Sequence, residues 1–187
     1  MDAKDLRNGV NIGHYGTGKT SLVEAALFHT KATTRLGSIT DGNTVSDFEP
    51  EEVKRGGSVQ TTLVSITEND TKINFLDTPG YDDFLGEVIS ALRVVEGAVI
   101  VVSAPTGVEV GTERAWNMCD GSHIPRIFVV NKMDRENAEF AKTVADIQAT
   151  FGRQCIPFQV TLGDAHGFNG VVSILDPPDD IPAAVAE

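Results

Sequence analysis

Residues 13–20 read Gly13-His14-Tyr15-Gly16-Thr17-Gly18-Lys19-Thr20, and this octapeptide is the strongest indication of the fold. It fits the phosphate-binding pattern Gly-x4-Gly-Lys-Ser/Thr, in which glycines let backbone N–H groups turn toward a polyphosphate. An apolar run from Val10 to Ile12 precedes it, and a helical pattern from Ser21 to Thr30 follows it. Because this strand–loop–helix context separates a phosphate loop from a chance match, we favour a phosphate loop over an ordinary glycine-rich turn.

The chemistry of this loop suits a nucleotide bound with magnesium. Lys19 can reach the β- and γ-phosphates, and the Thr20 hydroxyl can ligate Mg²⁺. The helix that starts near Lys19 points its positive dipole end at the same anion. We expect the nucleotide to contact the whole run of His14, Tyr15, Gly16, Thr17, Gly18, Lys19, Thr20 and Ser21.

Strand and helix patterns alternate along the rest of the chain, which predicts an α/β fold with a mostly parallel central sheet and helices on both faces. The predicted strands are Val10–Ile12, Leu63–Ile66, Ile73–Leu76, Ala98–Val102, Ile127–Val130 and Ile156–Val160. Apolar helical stripes begin at Leu22, Leu85 and Phe140. In such sheets ligands bind beyond the carboxyl ends of the strands, where the phosphate loop falls.

Two segments depart from this alternation. Lys31 to Gln60 is long, polar and rich in Gly, Thr and Asp, so we expect a functional or mobile loop. Residues 176–187 are acidic and proline-rich and are predicted to be a tail or linker. We therefore predict one P-loop domain over residues 1–175.

Composition limits the possible partners. The chain of 187 residues has a net charge of −12, which disfavours a broad electrostatic grip on nucleic acid. Its two cysteines, Cys119 and Cys155, do not suggest a disulfide framework. The longest apolar run, Ala98 to Val102, is too short to cross a bilayer, and the N-terminus lacks the apolar stretch of a signal peptide. We expect a soluble, cytoplasmic, monomeric protein without a membrane or sequence-specific nucleic-acid partner.

A second motif, Asp77-Thr78-Pro79-Gly80, follows the predicted strand that ends at Leu76. A carboxylate at a strand end can hold Mg²⁺, commonly through water. Gly80 can offer its backbone N–H to a γ-phosphate because no side chain blocks the approach. On its own this tetrapeptide would be an ordinary turn.

A third motif, Asn131-Lys132-Met133-Asp134, follows the strand that ends at Val130. The Asp134 carboxylate only accepts hydrogen bonds, so it can pair with two adjacent N–H donors on guanine, which adenine does not offer. Lys132 can lay its aliphatic stem against the base, and Asn131 can tie its loop to the phosphate loop. Three motifs in this order, each just after a predicted strand, predict guanine-nucleotide binding.

With these motifs the chain resembles the GTP-binding domain of translational GTPases, most closely elongation factor G and its divergent paralogues. The resemblance runs from about Arg7 to Val172. It rests on dipeptides specific to that branch and on a segment typical of the divergent paralogues; these are Asp41-Gly42, Arg55-Gly56, Asp83-Phe84, Glu87-Val88, Gly97-Ala98, Pro125-Arg126 and Gly111-Thr112-Glu113-Arg114-Ala115-Trp116.

The resemblance also implies roles for residues near the γ-phosphate. Tyr81 stands where the family carries the histidine that orients the attacking water, so we assign Tyr81 and Gly80 to the catalytic position and expect weak intrinsic hydrolysis. Ser58 takes the place of the Mg²⁺-ligating threonine, with Thr61 or Thr62 as the fallback. The metal ligands are then expected to be Thr20, Ser58 and Asp77. His14 is expected to orient the backbone, and Gly57 replaces the family's isoleucine near the water.

The family's last guanine motif, a Ser-Ala pair after a later strand, is missing, because Ser103-Ala104 precedes Asn131. We therefore expect a chain that lacks the final strand and helix, whether as a fragment or as a truncated product, and a weakened guanine affinity.

The resemblance implies a GTP-hydrolysing switch domain with GTP or GDP and Mg²⁺ as ligands and the ribosome as partner. The alternatives are a regulatory guanine-nucleotide module with little hydrolysis, an ATP-using P-loop protein, and a non-functional remnant.

Overall fold

The computed structural model describes residues 2–176, and the tail predicted over residues 176–187 lies outside them apart from Asp176. The bounds of the strands and helices are β1 Leu6–Ile12, α1 Lys19–His29, α2 Pro50–Arg55, β2 Thr62–Glu68, β3 Thr71–Asp77, α3 Leu85–Leu92, β4 Gly97–Ser103, α4 Val110–Gly121, β5 Arg126–Asn131, α5 Phe140–Phe151, β6 Gln159–Thr161 and β7 Val171–Ser173. Strands and helices alternate through most of the chain, although α2 follows α1 without an intervening strand, and β3 follows β2 and β7 follows β6 without an intervening α-helix.

A five-stranded sheet with the order β2-β3-β1-β4-β5 forms the centre of the fold. β1 pairs in parallel with both β3 and β4, whereas β2 pairs with β3 antiparallel. The prediction of a mostly parallel α/β sheet is therefore confirmed. Because β1 and β3 are parallel neighbours, the phosphate loop and the motif that begins at Asp77 emerge at the same edge of the sheet.

The chain divides into two compact units, residues 1–101 with 110–129, and residues 102–109 with 130–187. In the first unit Val23 and Leu27 on one face of α1 pack against Val64 and Ile66 of β2. Burying each of these aliphatic side chains contributes about 1.5–3 kcal/mol, which holds α1 and the loop before it on the sheet.

The second unit has its own small apolar core. Ala104, Met133 and Ala138 are buried there, and Val130, Phe140 and Phe168 pack around them. The backbone N–H of Ala104 donates to the Asn131 carbonyl at 2.9 Å. This core supports the loop that follows β5.

Two sequence predictions of local structure are wrong. The strand expected over Ile156–Val160 is instead the short β6, which pairs antiparallel with β7 in a separate two-stranded sheet. Pro157 has no N–H to donate to a ladder, and Ile156 is 75% exposed, so no sheet buries it. The segment from Lys31 to Gln60 is not loop throughout, because it contains α2.

Candidate nucleotide-binding site

The phosphate loop runs from the end of β1 to the start of α1. Gly18, the residue before the helix, has φ 93°, a left-handed conformation that costs a glycine little. The Thr17 hydroxyl donates to the His14 carbonyl at 3.0 Å and closes the loop on itself. No side chain caps the N-terminus of α1, so its first N–H groups suit a bound anion.

Lys19 lies inside this loop. Its Nζ donates to the carbonyls of Gly13 at 3.2 Å and His14 at 3.0 Å, and the side chain is buried. Burial lowers the pKa of Lys19 to about 8, although Asp77 and Asp47 pull it upward. A polyphosphate would offset this desolvation because it supplies negative charge next to the ammonium.

Hydroxyls and carboxylates from three segments meet beside Lys19. The Thr20 and Ser58 hydroxyl oxygens are 3.3 Å apart, and the Ser58 hydroxyl donates to Asp47 Oδ1 at 2.6 Å. Asp77 ends β3 and is buried, with the Thr20 and Ser46 hydroxyls beside its carboxyl group. The structure therefore brings together the three predicted metal ligands, Thr20, Ser58 and Asp77, and adds Asp47.

Lys19 balances the charge of the two carboxylates of this cluster only in part, and several of their oxygens lack hydrogen-bond partners. Both oxygens of Asp77 and the Oδ2 of Asp47 are buried without a hydrogen bond of good geometry. Burial raises the pKa of Asp77 to about 6, with the Thr20 hydroxyl, Lys19 and Ser46 opposing the shift. Burial also raises the pKa of Asp47.

These orphaned oxygens fit Mg²⁺, which prefers hard oxygen ligands. Within residues 2–176 no group of three or more His, Cys, Asp or Glu side chains is arranged to hold a metal by itself. A metal here would depend on hydroxyls, water and phosphate as well, as Mg²⁺ commonly does.

The Asp77–Gly80 motif packs against the phosphate loop at Gly80. A Cβ at this position would lie 2.5 Å from Lys19 Nζ and 2.7 Å from the Tyr15 Cα. Any side chain would therefore collide with the loop, so the requirement for glycine at residue 80 is steric. Tyr81 follows directly, and its ring stacks on Tyr15.

The segment between α1 and β2 is held by three glutamates that the sequence analysis missed. Glu24 accepts the backbone N–H groups of Gly37 at 3.1 Å and Val45 at 2.6 Å. Glu52 accepts the backbone N–H groups of Val59 and Gln60 in the same way. Glu87 accepts the backbone N–H group of Thr61. Two sequence signals exist: Glu24 lies on the apolar face of α1, and Glu49 with Glu52 forms a capping box.

The third motif lies in the second unit, at the end of β5. Lys132 has φ 62°, a left-handed backbone conformation that is uncommon for residues other than glycine and that concentrates at functional sites. Asp134 is exposed, with one carboxylate oxygen 3.6 Å from Arg135 Nε. Its carboxylate is thus accessible to a ligand.

The fold and the site define the class of P-loop nucleotide-binding domains, because a mostly parallel sheet carries a phosphate loop after β1 and a buried carboxylate at the end of β3. Comparison with known proteins gives the family. Residues 4–182 match the family model described as the elongation factor Tu GTP binding domain. The chain belongs to this family of translational GTPase domains and is of the elongation factor G type.

Individual relatives agree with that assignment. The chain is 36% identical to elongation factor G of Mycoplasma genitalium over 94% of its own length and 25% of the relative. It is 40% identical to the mitochondrial ribosome-releasing factor 2 of Meyerozyma guilliermondii, over 94% of this chain and 21% of that protein. A crystal structure of a protein from Thermus thermophilus superposes with a TM-score of 0.85 at 35% identity, over 89% of this chain and 25% of the other.

The chain spans about a quarter of the length of these relatives. Between residues 2 and 176 there is no helix with the length and apolar character needed to span a membrane.

Proposed function

We propose that residues 1–175 form a GTP-binding switch domain that hydrolyses GTP slowly, and that this domain serves a translation factor. The observation that carries the proposal is the pairing of the buried Lys19 with buried, unsatisfied carboxylates at Asp77 and Asp47. Such an arrangement is costly in the empty protein, and a phosphate-bound divalent cation would satisfy both charges at once.

Each part of the phosphate site has a distinct task. Lys19, the run from His14 to Ser21 and the N-terminus of α1 bind the phosphates. Thr20 and Ser58 would hold Mg²⁺ directly and Asp77 would do so through water, while Asp47 orients Ser58 by the 2.6 Å hydrogen bond. Bound Mg²⁺ supplies positive charge that stabilises the phosphate oxygens.

Asn131, Lys132 and Asp134 select the base. The exposed Asp134 carboxylate accepts from the two neighbouring N–H donors of guanine, and Lys132 covers the ring with its aliphatic stem. Adenine offers no such donor pair, so ATP is excluded.

Hydrolysis depends on the segment Gly80–Tyr81. The oxygen of a water molecule bonds to the γ-phosphorus while the bond to the bridging β–γ oxygen breaks, and GDP, phosphate and a proton are released. Gly80 offers its N–H to the γ-phosphate, and the Tyr81 hydroxyl hydrogen-bonds the water. A phenol is a weaker base than the imidazole of the family, so the intrinsic rate is low.

The names of the relatives extend the proposal to the ribosome. Because these are elongation factor G and a ribosome-releasing factor, we propose that the ribosome is the partner that GTP-dependent ordering of residues 31–60 controls. We further propose a monomeric cytoplasmic protein that does not contact membrane or bind nucleic acid sequence-specifically.

Calorimetric titration tests the binding claim. With Mg²⁺ present, GDP and GTP should bind one site per chain, ATP should not compete, and Lys19→Met should abolish the heat while retaining a cooperative thermal unfolding transition. Equal displacement of GTP by ATP would refute base selection. The absence of any nucleotide-dependent rise in melting temperature would refute the site itself.

The hydrolysis claim is tested separately by comparing the chain with Tyr81→His, each with and without ribosomes. We expect the histidine variant to hydrolyse GTP about tenfold faster or more, because imidazole orients water better. Equal rates would contradict the proposed reason for slow turnover.

A further inference from the structure

The two tyrosines of this chain stack on each other. Tyr15 and Tyr81 are the only tyrosines in the sequence, and they come from different loops, the phosphate loop and the segment after Gly80. Their ring centroids lie 3.9 Å apart and the ring planes differ by 25°. Aromatic pairs at this separation attract one another beyond the area they bury, so each ring restricts the other.

Gly57 lies close to the same two tyrosine rings. A Cβ at residue 57 would lie 3.0 Å from Tyr15 Cε2 and 3.8 Å from Tyr81 Cε2, although Gly57 does not have a left-handed backbone. The reason for glycine here is therefore space for the Tyr15 ring. Ser58, the next residue, belongs to the carboxylate–hydroxyl cluster, so the ring pair and the proposed metal site share one backbone segment.

The contact also reaches the proposed phosphate-binding groups. A Cβ at residue 80 would lie 2.5 Å from Lys19 Nζ and 2.8 Å from the Tyr15 backbone nitrogen, so the side chain of any other residue would collide with both. Interaction with the adjacent Tyr15 phenol is the largest cause that raises the pKa of Tyr81 above its ordinary value. Tyr81 is thus a neutral phenol at physiological pH, with its ring in contact with that of Tyr15.

We propose that Tyr15 is a positioning residue for GTP hydrolysis, which holds the Tyr81 phenol beside Gly80 by ring stacking, and that Gly57 is required because this ring pair occupies the space of a side chain. The proposal rests on the GTPase function proposed above. The two departures from the family's usual residues at positions 57 and 81 then form one unit with Tyr15. A Tyr81→His substitution alone would therefore restore only part of the arrangement that the family uses.

Fluorine NMR tests the stack without using any activity. Because the chain has only two tyrosines, labelling with 3-fluorotyrosine gives two resonances, which Tyr15→Phe and Tyr81→Phe assign. We expect Tyr15→Leu to move the Tyr81 resonance, since the ring current of its neighbour is lost. Gly57→Ala should move both resonances. Gly86→Ala is the matched control, because a Cβ at residue 86 meets nothing within 4 Å, and it should move neither.

Single-turnover hydrolysis of bound GTP tests whether Tyr15 affects the rate of hydrolysis through Tyr81. Tyr15→Leu should lower the rate constant about fivefold or more while the GTP dissociation constant changes less than about threefold, because the residue positions Tyr81 and does not grip the phosphates by its side chain. Tyr15→Phe keeps the stack and should retain most of the rate. In a Tyr81→Leu background, Tyr15→Leu should have no further effect. Gly57→Ala should slow hydrolysis in the wild type and not in Tyr15→Leu.

The results of these experiments distinguish a failure of the Tyr15 positioning role from a failure of the proposed GTPase function. Three outcomes would each overturn the positioning role while leaving GTP binding and turnover in place. They are an equal effect of Tyr15→Leu in the wild-type and Tyr81→Leu backgrounds, a Tyr81 resonance that Tyr15→Leu does not move, and a Gly57→Ala variant that behaves like Gly86→Ala. If the wild type neither binds nor hydrolyses GTP, the proposed function fails, and the NMR result alone then decides whether the stack exists.

Discussion

At the residue scale, burial sets the ionisation of Asp77. The native pKa of about 6 lies above the ordinary value of 3.8, so the folded protein holds the proton more tightly than the unfolded chain does. The free energy of unfolding contributed by this group therefore falls as pH rises from about 4 to about 6. Above pH 6 the empty protein carries the full cost of a buried charge.

Asp77→Asn removes this titration. We expect the variant to gain stability relative to the wild type as pH rises from 4 to 7, by roughly 2–3 kcal/mol in all, because Asn stays neutral. Urea denaturation of both proteins without nucleotide measures the difference. With Mg²⁺ and GDP present we expect the wild type to be the more stable of the two proteins, since its carboxylate then has a cation to bind. A difference that does not change with pH would contradict the assigned ionisation.

The residues of the proposed metal site differ in how far the sequence alone identifies them. Asp47 lies in a polar segment without a motif, and only the folded chain brings it within 2.6 Å of Ser58. Glu24 lies on the apolar face of α1, but only the folded structure shows that its buried carboxylate accepts backbone N–H groups of the loop. Lys19, Thr20 and Asp77 were predictable because a local pattern fixes both their position and their chemistry.

At the scale of elements, buried glutamates fasten the segment between α1 and β2 to the rest of the first unit. Glu24 is 1% exposed and accepts two backbone N–H groups from residues far along the chain. Hydrogen bonds to a charged acceptor are worth about 1.5–3 kcal/mol each, more than those between neutral groups. The order of this segment therefore depends on a few carboxylates, which is compatible with the proposed release of the segment after GTP hydrolysis.

Glu24→Gln should loosen this segment selectively. The glutamine NH₂ must face a backbone N–H, so one hydrogen bond is lost and two donors meet. We expect hydrogen exchange of the Gly37 and Val45 amides to speed up about tenfold or more, with little change in the amides of β1. Glu113→Gln on the exposed face of α4 is the control. Unchanged exchange at both amides would show that other contacts hold the segment.

At the scale of the whole molecule, the sequence predicted the α/β class, the parallel core strands and the three motif-bearing strand ends. Those features follow from local apolar patterns and from loop motifs whose residue types indicate which ligand they bind. The short β6 was misplaced because an apolar run around Pro157 looks like a strand, although proline cannot complete a ladder. The Tyr15–Tyr81 stack could not be foreseen, because residues so far apart meet only through the parallel pairing of β1 and β3.

The central claim for the whole domain is that it recognises guanine through Asp134. Asp134→Asn replaces an acceptor by a group that can donate, which matches the extra carbonyl of xanthine. Calorimetric titration of both proteins with GDP and xanthosine diphosphate, in Mg²⁺, measures the preference directly. We expect the wild type to favour GDP by at least about 100-fold and the variant to reverse this preference. A variant that keeps the wild-type preference for GDP would contradict the claim.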